Sequence, residues 1–223
     1  MPYIQHQLPQ GPKLNLGCGP VQPKGWVNID GSNRAWLASK LPLVDNALVK
    51  LHLLPATEYS PEIKYHNLSR GIPFPDNSVS CIYAGELWEH FEYEGASKIT
   101  GDCYRALGQN GVLRVCVPDG VNFWKRYLNT YDGIMEKPRH SRSAKPLIEL
   151  VQMYFKDICT KKMWLASMGH THKWQFDQIQ LIALLESNGF SQVERMPFHE
   201  SRIPDIESIE RSDFLIVEGI KSA

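Results

Sequence analysis

The sequence predicts an α/β fold: a doubly wound, mostly parallel sheet of seven strands with an antiparallel final strand. Short apolar runs recur along the chain and helical stretches separate them, which is typical of a parallel sheet. A glycine turn follows the first run and an acid ends the second, as in doubly wound sheets that bind nucleosides. Strands are predicted at residues 13–17, 26–30, 63–67, 79–84 and 111–117, with a final antiparallel pair at 192–197 and 213–218.

Helices are predicted from apolar spacing and from the residues that begin or end helices. Residues 119–128 have apolar side chains on one face, with Asp119 as the N-cap. Residues 176–188 form the clearest helix, and Gly189 ends it. Helical segments are also predicted at 34–38, 47–51 and 96–107.

The connection between the first two strands is unusually short. Only residues 20–25 separate them, whereas a parallel crossover normally needs about 10–12 residues or more, including its helix. We therefore predict a first crossover helix shortened to about one turn. Residues 31–62 are longer than a simple crossover requires, and they either cover the side of the sheet that this helix leaves bare or form a lid.

Length and composition exclude several classes of protein. The 223 residues suit one domain, residues 1–223. Lysine and arginine balance aspartate and glutamate at 24 each, which argues against a specific nucleic-acid binder. No apolar window is long enough for a transmembrane segment, and the N-terminus lacks the layout of a signal peptide. The five scattered cysteines favour reduced thiols in a cytoplasmic protein.

The glycine turn narrows the kind of ligand. Gly17 and Gly19 allow a backbone to approach a nucleoside closely, and Asp30, at the end of the second strand, is placed to accept ribose hydroxyls. Gln22 stands where a dinucleotide fingerprint has its third glycine, and no phosphate-binding loop motif follows. The pattern favours a ligand with a ribose and no phosphates, unless the two glycines form only a tight turn.

Segments in this order resemble the motifs of class I S-adenosylmethionine-dependent methyltransferases. They are residues 13–30, which contain KLNLGCG and GWVNID, residues 66–79, residues 82–91 (IYAGELWEHF) and residues 105–119 (RALGQNGVLRVCVPD). The C-terminal part, with HKWQFD and LLESNGF, resembles the tail of predicted methyltransferases of polysaccharide or glycolipid synthesis. The resemblance implies a Rossmann-like fold and the cofactor S-adenosyl-L-methionine.

The resemblance and the strand ends together suggest a cofactor site. Its predicted residues are Asn15, Gly17, Cys18, Gly19, Asp30, Asn67, Leu68, Ala84, Gly85 and Glu86. Asn67 and Leu68 are implied to bind the adenine. The family often has an acid at the position of Asn15, so the ammonium of the cofactor is met either by another acid, such as Glu86, or by carbonyl groups.

Histidines are the predicted catalytic residues, because a pKa near neutrality suits removal of a proton from a hydroxyl. His90 follows the fourth strand, while His170 and His172 lie before the helix at 176. Asp119 and His199 are further candidates for the base, and a helix cap is the commoner role for Asp119. The H-x-H pair lacks a third ligand motif nearby, so no metal site is predicted.

The predicted acceptor is a small molecule or a glycan, methylated at oxygen. Residues 129–175 depart most from a minimal fold and are predicted to form the acceptor pocket. Their basic residues either clamp a phosphate or carboxylate of the acceptor or lie in a solvated loop: Lys137, Arg139, Arg142 and Lys145. The alternative function is a non-catalytic S-adenosylmethionine-binding protein of the same fold. A nicotinamide-dependent oxidoreductase is disfavoured by Gln22.

Overall fold

The computed structural model describes residues 7–56, 59–159 and 171–222. Within them, seven strands form one sheet in the order β3-β2-β1-β4-β5-β7-β6. The pairs from β3 to β5 are parallel, whereas β7 runs antiparallel to β5 and β6 antiparallel to β7. The strands are β1 (Lys13–Leu16), β2 (Trp26–Asp30), β3 (Lys64–Tyr65), β4 (Val79–Gly85), β5 (Leu107–Val117), β6 (Ser191–Arg195) and β7 (Leu215–Ile220). The predicted fold class is confirmed.

Six α-helices connect the strands of the described chain. They are α1 (Asn33–Lys40), α2 (Pro42–Lys50), α3 (Tyr93–Ala106), α4 (Gly120–Met135), α5 (Lys145–Cys159) and α6 (Gln178–Ser187). Asp119 caps α4 by accepting a hydrogen bond from the Val121 amide, as predicted. None of these helices combines the length and the apolar character that crossing a bilayer would need.

Several element boundaries differ from the prediction, and α4 continues to Met135, past its predicted end at residue 128. β5 begins at Leu107 rather than at 111, because the chain passes from α3 directly into the strand and both glycines, Gly108 and Gly111, lie inside it. β3 has only two residues, since Asn67 accepts a hydrogen bond from the Ser69 amide and starts a short 3₁₀ turn.

Side chains alternate between the two faces of the sheet and build two apolar cores. One core contains Leu14, Ile82 and Leu113 from the strands and is covered by α3 and α6. The other contains Cys81 and Cys116, together with apolar side chains of residues 196–209. The segment between β6 and β7 therefore covers much of the second face, while α1 contacts the β3 edge. Residues 31–62 contribute no side chain to either of these two cores.

A buried ionic network fastens the 196–212 segment to the second face. The Arg114 guanidinium, fully buried on β5, donates to both carboxylate oxygens of Glu210 at 2.8 Å. It also donates to Glu218 of β7 at 2.7 Å and to the carbonyls of Pro197 and Glu200. Every donor nitrogen of this charge is thereby matched, which a buried arginine requires.

No helix joins β1 to β2, and two asparagine side chains bind the short connection instead. The strands place Asn15 opposite Asn28 in register. Asn15 Nδ2 donates to the Val21 carbonyl at 2.8 Å and to Asn28 Oδ1 at 2.9 Å, and Asn28 Nδ2 lies 3.3 Å from the Pro23 carbonyl. The side chains thus satisfy backbone carbonyls that the hydrogen bonds of a helix would otherwise satisfy.

Candidate functional site

A cavity of about 800 Å³ opens at the carboxyl ends of β1, β2 and β4. Parallel α/β sheets bind ligands at this edge, and the volume is within the range of small-molecule sites. The described residues that line it are Asn15, Gly17, Cys18, Gly19, Pro20, Val21, Asp30, Gly31, Ser32, Tyr59, Asn67, Leu68, Ser69, Tyr83, Gly85, Glu86, Leu87, His90, Phe91, Thr171, Lys173, Ile209 and Arg211.

The glycine turn after β1 needs its glycines for two different reasons. Gly17 and Gly19 both have left-handed backbone angles, with φ of +65° and +50°, which side chains disfavour. A Cβ on Gly17 would also lie 2.9 Å from Leu87 Cδ1, whereas one on Gly19 would meet only the Tyr59 hydroxyl at 3.9 Å. The turn therefore packs against Leu87 and leaves the backbone of Gly19 at the cavity wall.

Asp30 ends β2, and its carboxylate accepts hydrogen bonds from two backbone amides at the cavity wall. Its Oδ2 accepts a hydrogen bond from the Gly19 amide at 2.9 Å, and its Oδ1 accepts one from the Ser32 amide at 2.7 Å. The carboxylate therefore fixes the glycine turn to the start of α1. Each oxygen keeps a second lone pair for a ligand hydroxyl.

Asn15 and Cys18 line the cavity in neutral form. Asn15 is buried, and its amide nitrogen is committed to Val21 and Asn28, so this position presents no negative charge. Burial, followed by the nearby charge of Asp30, raises the pKa of the Cys18 thiol. The thiol packs with Ala35 and Ile63 and is a small apolar wall rather than a nucleophile.

Asn67 and Leu68, the predicted adenine contacts, lie on the β3 side of the cavity. Asn67 Oδ1 accepts from the Ser69 amide at 3.0 Å and from the Ser69 hydroxyl at 2.8 Å. The Leu68 side chain is buried in the core. Gly31 is needed nearby, because a Cβ there would lie 2.9 Å from the His66 carbonyl oxygen.

The end of β4 places its three predicted residues differently. Gly85 and Glu86 line the cavity, whereas Ala84 points into the core and does not. Glu86 has a left-handed φ of +52°, which is uncommon for a residue with a side chain. Its Oε1 accepts a hydrogen bond from the Ser212 hydroxyl at 2.6 Å, so this acid joins the end of β4 to the segment before β7.

The candidate bases separate into three groups. His90 lines the cavity, and the His172 ring packs against the His90 ring with the centroids 5.0 Å apart. His170 lies outside the described residues. Asp119 caps α4, and His199 stacks on Phe198 without lining the cavity.

Glu89 stands beside these histidines and was missed by sequence reasoning. It is 2% exposed, and neither carboxylate oxygen has a hydrogen-bond partner among the described residues. Burial, which the charge of Glu86 reinforces, raises the pKa of Glu89 to about 8. Nothing in the LWEHF segment showed that the acid points inward, since its neighbours Trp88 and Phe91 are equally suited to a surface turn or a core.

Other lining residues come from segments that carry no motif. Tyr59 follows α2, and burial together with the charge of Asp30 raises its pKa to about 12, so the hydroxyl keeps its proton. Lys173 and Arg211 bring two cations to the cavity from the segments before α6 and β7. Their positions depend on tertiary packing rather than on local sequence.

The basic residues predicted to clamp an acceptor lie elsewhere. Lys137, Arg139, Arg142 and Lys145 are exposed around the turn between α4 and α5, and none of them lines the cavity. Arg142 donates to the carbonyls of Lys137 and Met135, which closes this turn. The cations at the cavity are instead Lys173 and Arg211.

Comparisons with known proteins found similarity only among solved structures. No protein-family model and no curated protein matches the sequence. Among solved structures, similarity is found to a chain of a Haloferax volcanii complex containing the Trm112 methyltransferase activator, with 12% identity, 97% of this chain and 86% of the other covered, and a TM-score of 0.48.

Two further solved structures are S-adenosylmethionine-dependent methyltransferases. The protein from Archaeoglobus fulgidus shares 11% identity, with 95% of this chain and 86% of the other covered and a TM-score of 0.47. The protein from Thermotoga maritima shares 13% identity, with 96% and 84% covered and a TM-score of 0.46. The parallel strands and the antiparallel final strands of this chain form the Rossmann-like α/β fold that its sequence motifs imply.

Proposed function

We propose that this protein is an S-adenosylmethionine-dependent methyltransferase that methylates a small-molecule or glycan acceptor at oxygen. The observation that carries the proposal is the hydrogen bond from the Gly19 amide to the Asp30 carboxylate, at the wall of a cavity of about 800 Å³. A fixed carboxylate beside a close backbone approach suits a ribose, and no phosphate-binding motif accompanies it.

The remaining walls fit the other parts of this cofactor. Asn67, Ser69 and Leu68 offer polar and apolar contacts for an adenine on one side. The amino acid portion would lie against the turn of Gly17 and Gly19. Because the Asn15 amide is occupied by its own backbone contacts, we assign the ammonium to Glu86 or to backbone carbonyls.

Methyl transfer to oxygen requires little further chemistry from the protein. The methyl passes from the sulfonium to the acceptor oxygen, the hydroxyl proton leaves to a base or to water, and S-adenosylhomocysteine remains. His90 is the histidine at the cavity wall. Lys173 and Arg211 favour an acceptor that carries a phosphate or a carboxylate.

Calorimetric titration with S-adenosylhomocysteine tests the cofactor assignment. We expect binding to the wild-type protein and none of comparable strength for NAD. Asp30→Asn should weaken binding by about 1–3 kcal/mol, the scale for hydrogen bonds to a charged group, because an amide nitrogen cannot accept from Gly19 and Ser32. Asp76→Asn, an exposed acid on another part of the chain, is the matched control. Equal affinity of Asp30→Asn and wild type would refute the ribose assignment.

A second experiment separates the enzyme from a non-catalytic binding protein. The wild-type protein is incubated with methyl-labelled S-adenosylmethionine and fractionated small molecules and glycans from cells. Transfer of label to an acceptor, reduced in Asp30→Asn, supports the enzyme. Tight cofactor binding without transfer to any fraction would favour the binding protein.

A further inference from the structure

Three side chains with metal-binding atoms converge at the wall of the cavity. Glu89 and His90 come from the turn after β4, and His172 comes from the segment before α6. One ligand atom from each lies within 4.8 Å of the other two. Ligands at about 2.0–2.2 Å from one ion are at most about 4.4 Å apart, so only a small closure would bring all three onto a single ion.

Backbone contacts hold the two parts of this cluster together. The amides of Lys173 and Trp174 donate to the Glu89 carbonyl at 2.7 and 3.2 Å. His90 Nδ1 lies 3.3 Å from the Thr171 carbonyl oxygen. Because a carbonyl can only accept, this contact requires hydrogen on Nδ1, and the Nε2 atom then carries the lone pair. Metal-binding histidines are commonly oriented by such a bond.

The Glu89 carboxylate is the independent observation that points to a cation. It is 2% exposed, and among residues 7–56, 59–159 and 171–222 neither of its oxygens finds a hydrogen-bond donor. Buried carboxyl groups in folded proteins are nearly always hydrogen-bonded, ion-paired or coordinated to a metal. No lysine or arginine pairs with Glu89 in the described chain, whereas two imidazoles lie beside it.

We propose that Glu89, His90 and His172 bind one divalent transition-metal ion of the Zn²⁺, Mn²⁺ or Fe²⁺ type. Two imidazole nitrogens with one carboxylate oxygen suit these ions, and oxygen-only sites suit Mg²⁺ or Ca²⁺. Three protein ligands leave coordination positions open, as in catalytic rather than structural sites. The sequence alone predicted no metal because two of the three ligands, Glu89 and His90, lie far along the chain from the H-x-H pair.

The site has a use in the reaction, and this step rests on the proposed function. His90 and Thr171 line the cavity, so an ion bound by His90 would lie at its wall. A coordinated acceptor hydroxyl has a lowered pKa. It would release its proton to water and then take the methyl from the sulfonium. In this assignment His90 is a metal ligand rather than the base.

Direct metal titration tests the site. Protein stripped with a chelator is titrated with Zn²⁺ by calorimetry in the presence of a competing chelator, and Co²⁺ absorption in the visible range reports ligation by nitrogen. We expect one equivalent per chain in the wild type. Glu89→Gln and His172→Gln should each lower Zn²⁺ affinity at least 100-fold, and His140→Gln, at an exposed histidine in the turn after α4, should leave it unchanged.

Two results would overturn the site: no stoichiometric Zn²⁺ binding by the wild type, or the same affinity in Glu89→Gln and His172→Gln. Circular dichroism establishes that both variants are folded. S-adenosylhomocysteine titration of the same samples keeps the two proposals apart. Metal binding without cofactor binding would support the metal site and contradict the proposed methyltransferase. Cofactor binding without metal binding would support the methyltransferase and contradict the metal site.

Discussion

At the scale of single residues, the polar side chains around the cavity bind backbone groups of the protein itself. Asp30 accepts from two amides, Asn67 accepts from the Ser69 amide, and Asn15 donates to the Val21 carbonyl. Each of them sets the position of a turn that lines the cavity. A substitution at any of these positions would therefore change the shape of the cavity as well as its chemistry.

Residue types at the glycine turn could be read from the sequence, and the orientations of other side chains could not. The spacing from Gly17 to Asp30 follows the pattern of a nucleoside site, and both residues line the cavity. Glu89 gave no signal, because whether an acid in a turn points inward depends on what packs above it. Ala84 was included because its strand ends at the cavity, but alternation along β4 turns it into the core.

Gly17→Ala should destabilise the protein and weaken S-adenosylhomocysteine binding. An alanine at φ +65° costs about 1–2 kcal/mol, and its Cβ would displace the Leu87 side chain. Urea unfolding measures the stability, and calorimetry measures the affinity.

Gly133→Ala is the matched control for this substitution. Gly133 lies within α4, and a Cβ there would meet nothing within 4 Å. The Gly133→Ala variant should have a free energy of unfolding higher by about 0.5–1 kcal/mol, since alanine is the better helix former. If both variants change stability in the same direction, the argument from the backbone angle is wrong.

At the scale of elements, the link between β1 and β2 shows how a missing helix is replaced. The short spacing predicted a crossover helix of about one turn, and this was wrong because the structure has only turns there. The Asn15–Asn28 pair holds these turns, and residues 196–209 cover much of the second face of the sheet. Sequence reasoning left open whether residues 31–62 would cover the sheet, because a covering segment far along the chain leaves no local pattern.

A second anchor fixes the loop beside the predicted adenine region to α3. Arg105 donates to the carbonyls of Ile72 and Phe74 and to the carboxylate of Asp102. Asp102 also accepts from the Ile72 amide. Burial alone would raise the pKa of Asp102, but the hydrogen bonds from Arg105 and Ile72 outweigh it and hold the pKa below its ordinary value.

Asp102→Asn should therefore reduce stability at neutral pH and have less effect in acid. A carboxyl with a lowered pKa in the folded state contributes stability above its unfolded pKa, and this contribution is lost as the pH falls through the folded value. Urea unfolding of wild type and variant at several values from pH 7 to pH 3 measures the difference. A difference that stays constant over this range would contradict the ionic role of Asp102.

At the scale of the whole molecule, the number of strands and the antiparallel end of the sheet could be predicted from the sequence, whereas the burial of charged side chains could not. Apolar runs and turns predicted seven strands and the antiparallel end of the sheet, which the structure confirms. Arg114 and Glu218, in contrast, stand in apolar strands as isolated charges. Only the antiparallel pairing of β5 with β7 places them opposite one another, and only the folded 196–212 segment adds Glu210.

Arg114→Met should destabilise the whole domain by about 3–5 kcal/mol, because it leaves the carboxylates of Glu210 and Glu218 buried without their shared cation. Lys145→Met is the control, since its partner Glu149 lies 3.8 Å away and both side chains are exposed. An exposed pair of this kind contributes about 0–1 kcal/mol. Equal losses of unfolding free energy in the two variants, measured with urea, would show that the buried network contributes no more stability than an exposed ion pair.

The docking of residues 196–212 also sets the order in which the protein can mature during synthesis. Ile209 and Arg211 line the same cavity as Gly17 and Asp30, although they come near the opposite end of the described chain. A nascent chain that has released only the first five strands from the ribosome lacks this wall and also lacks β7, one of the two strands that pair with β5. The cavity is therefore complete only after β7 has been translated.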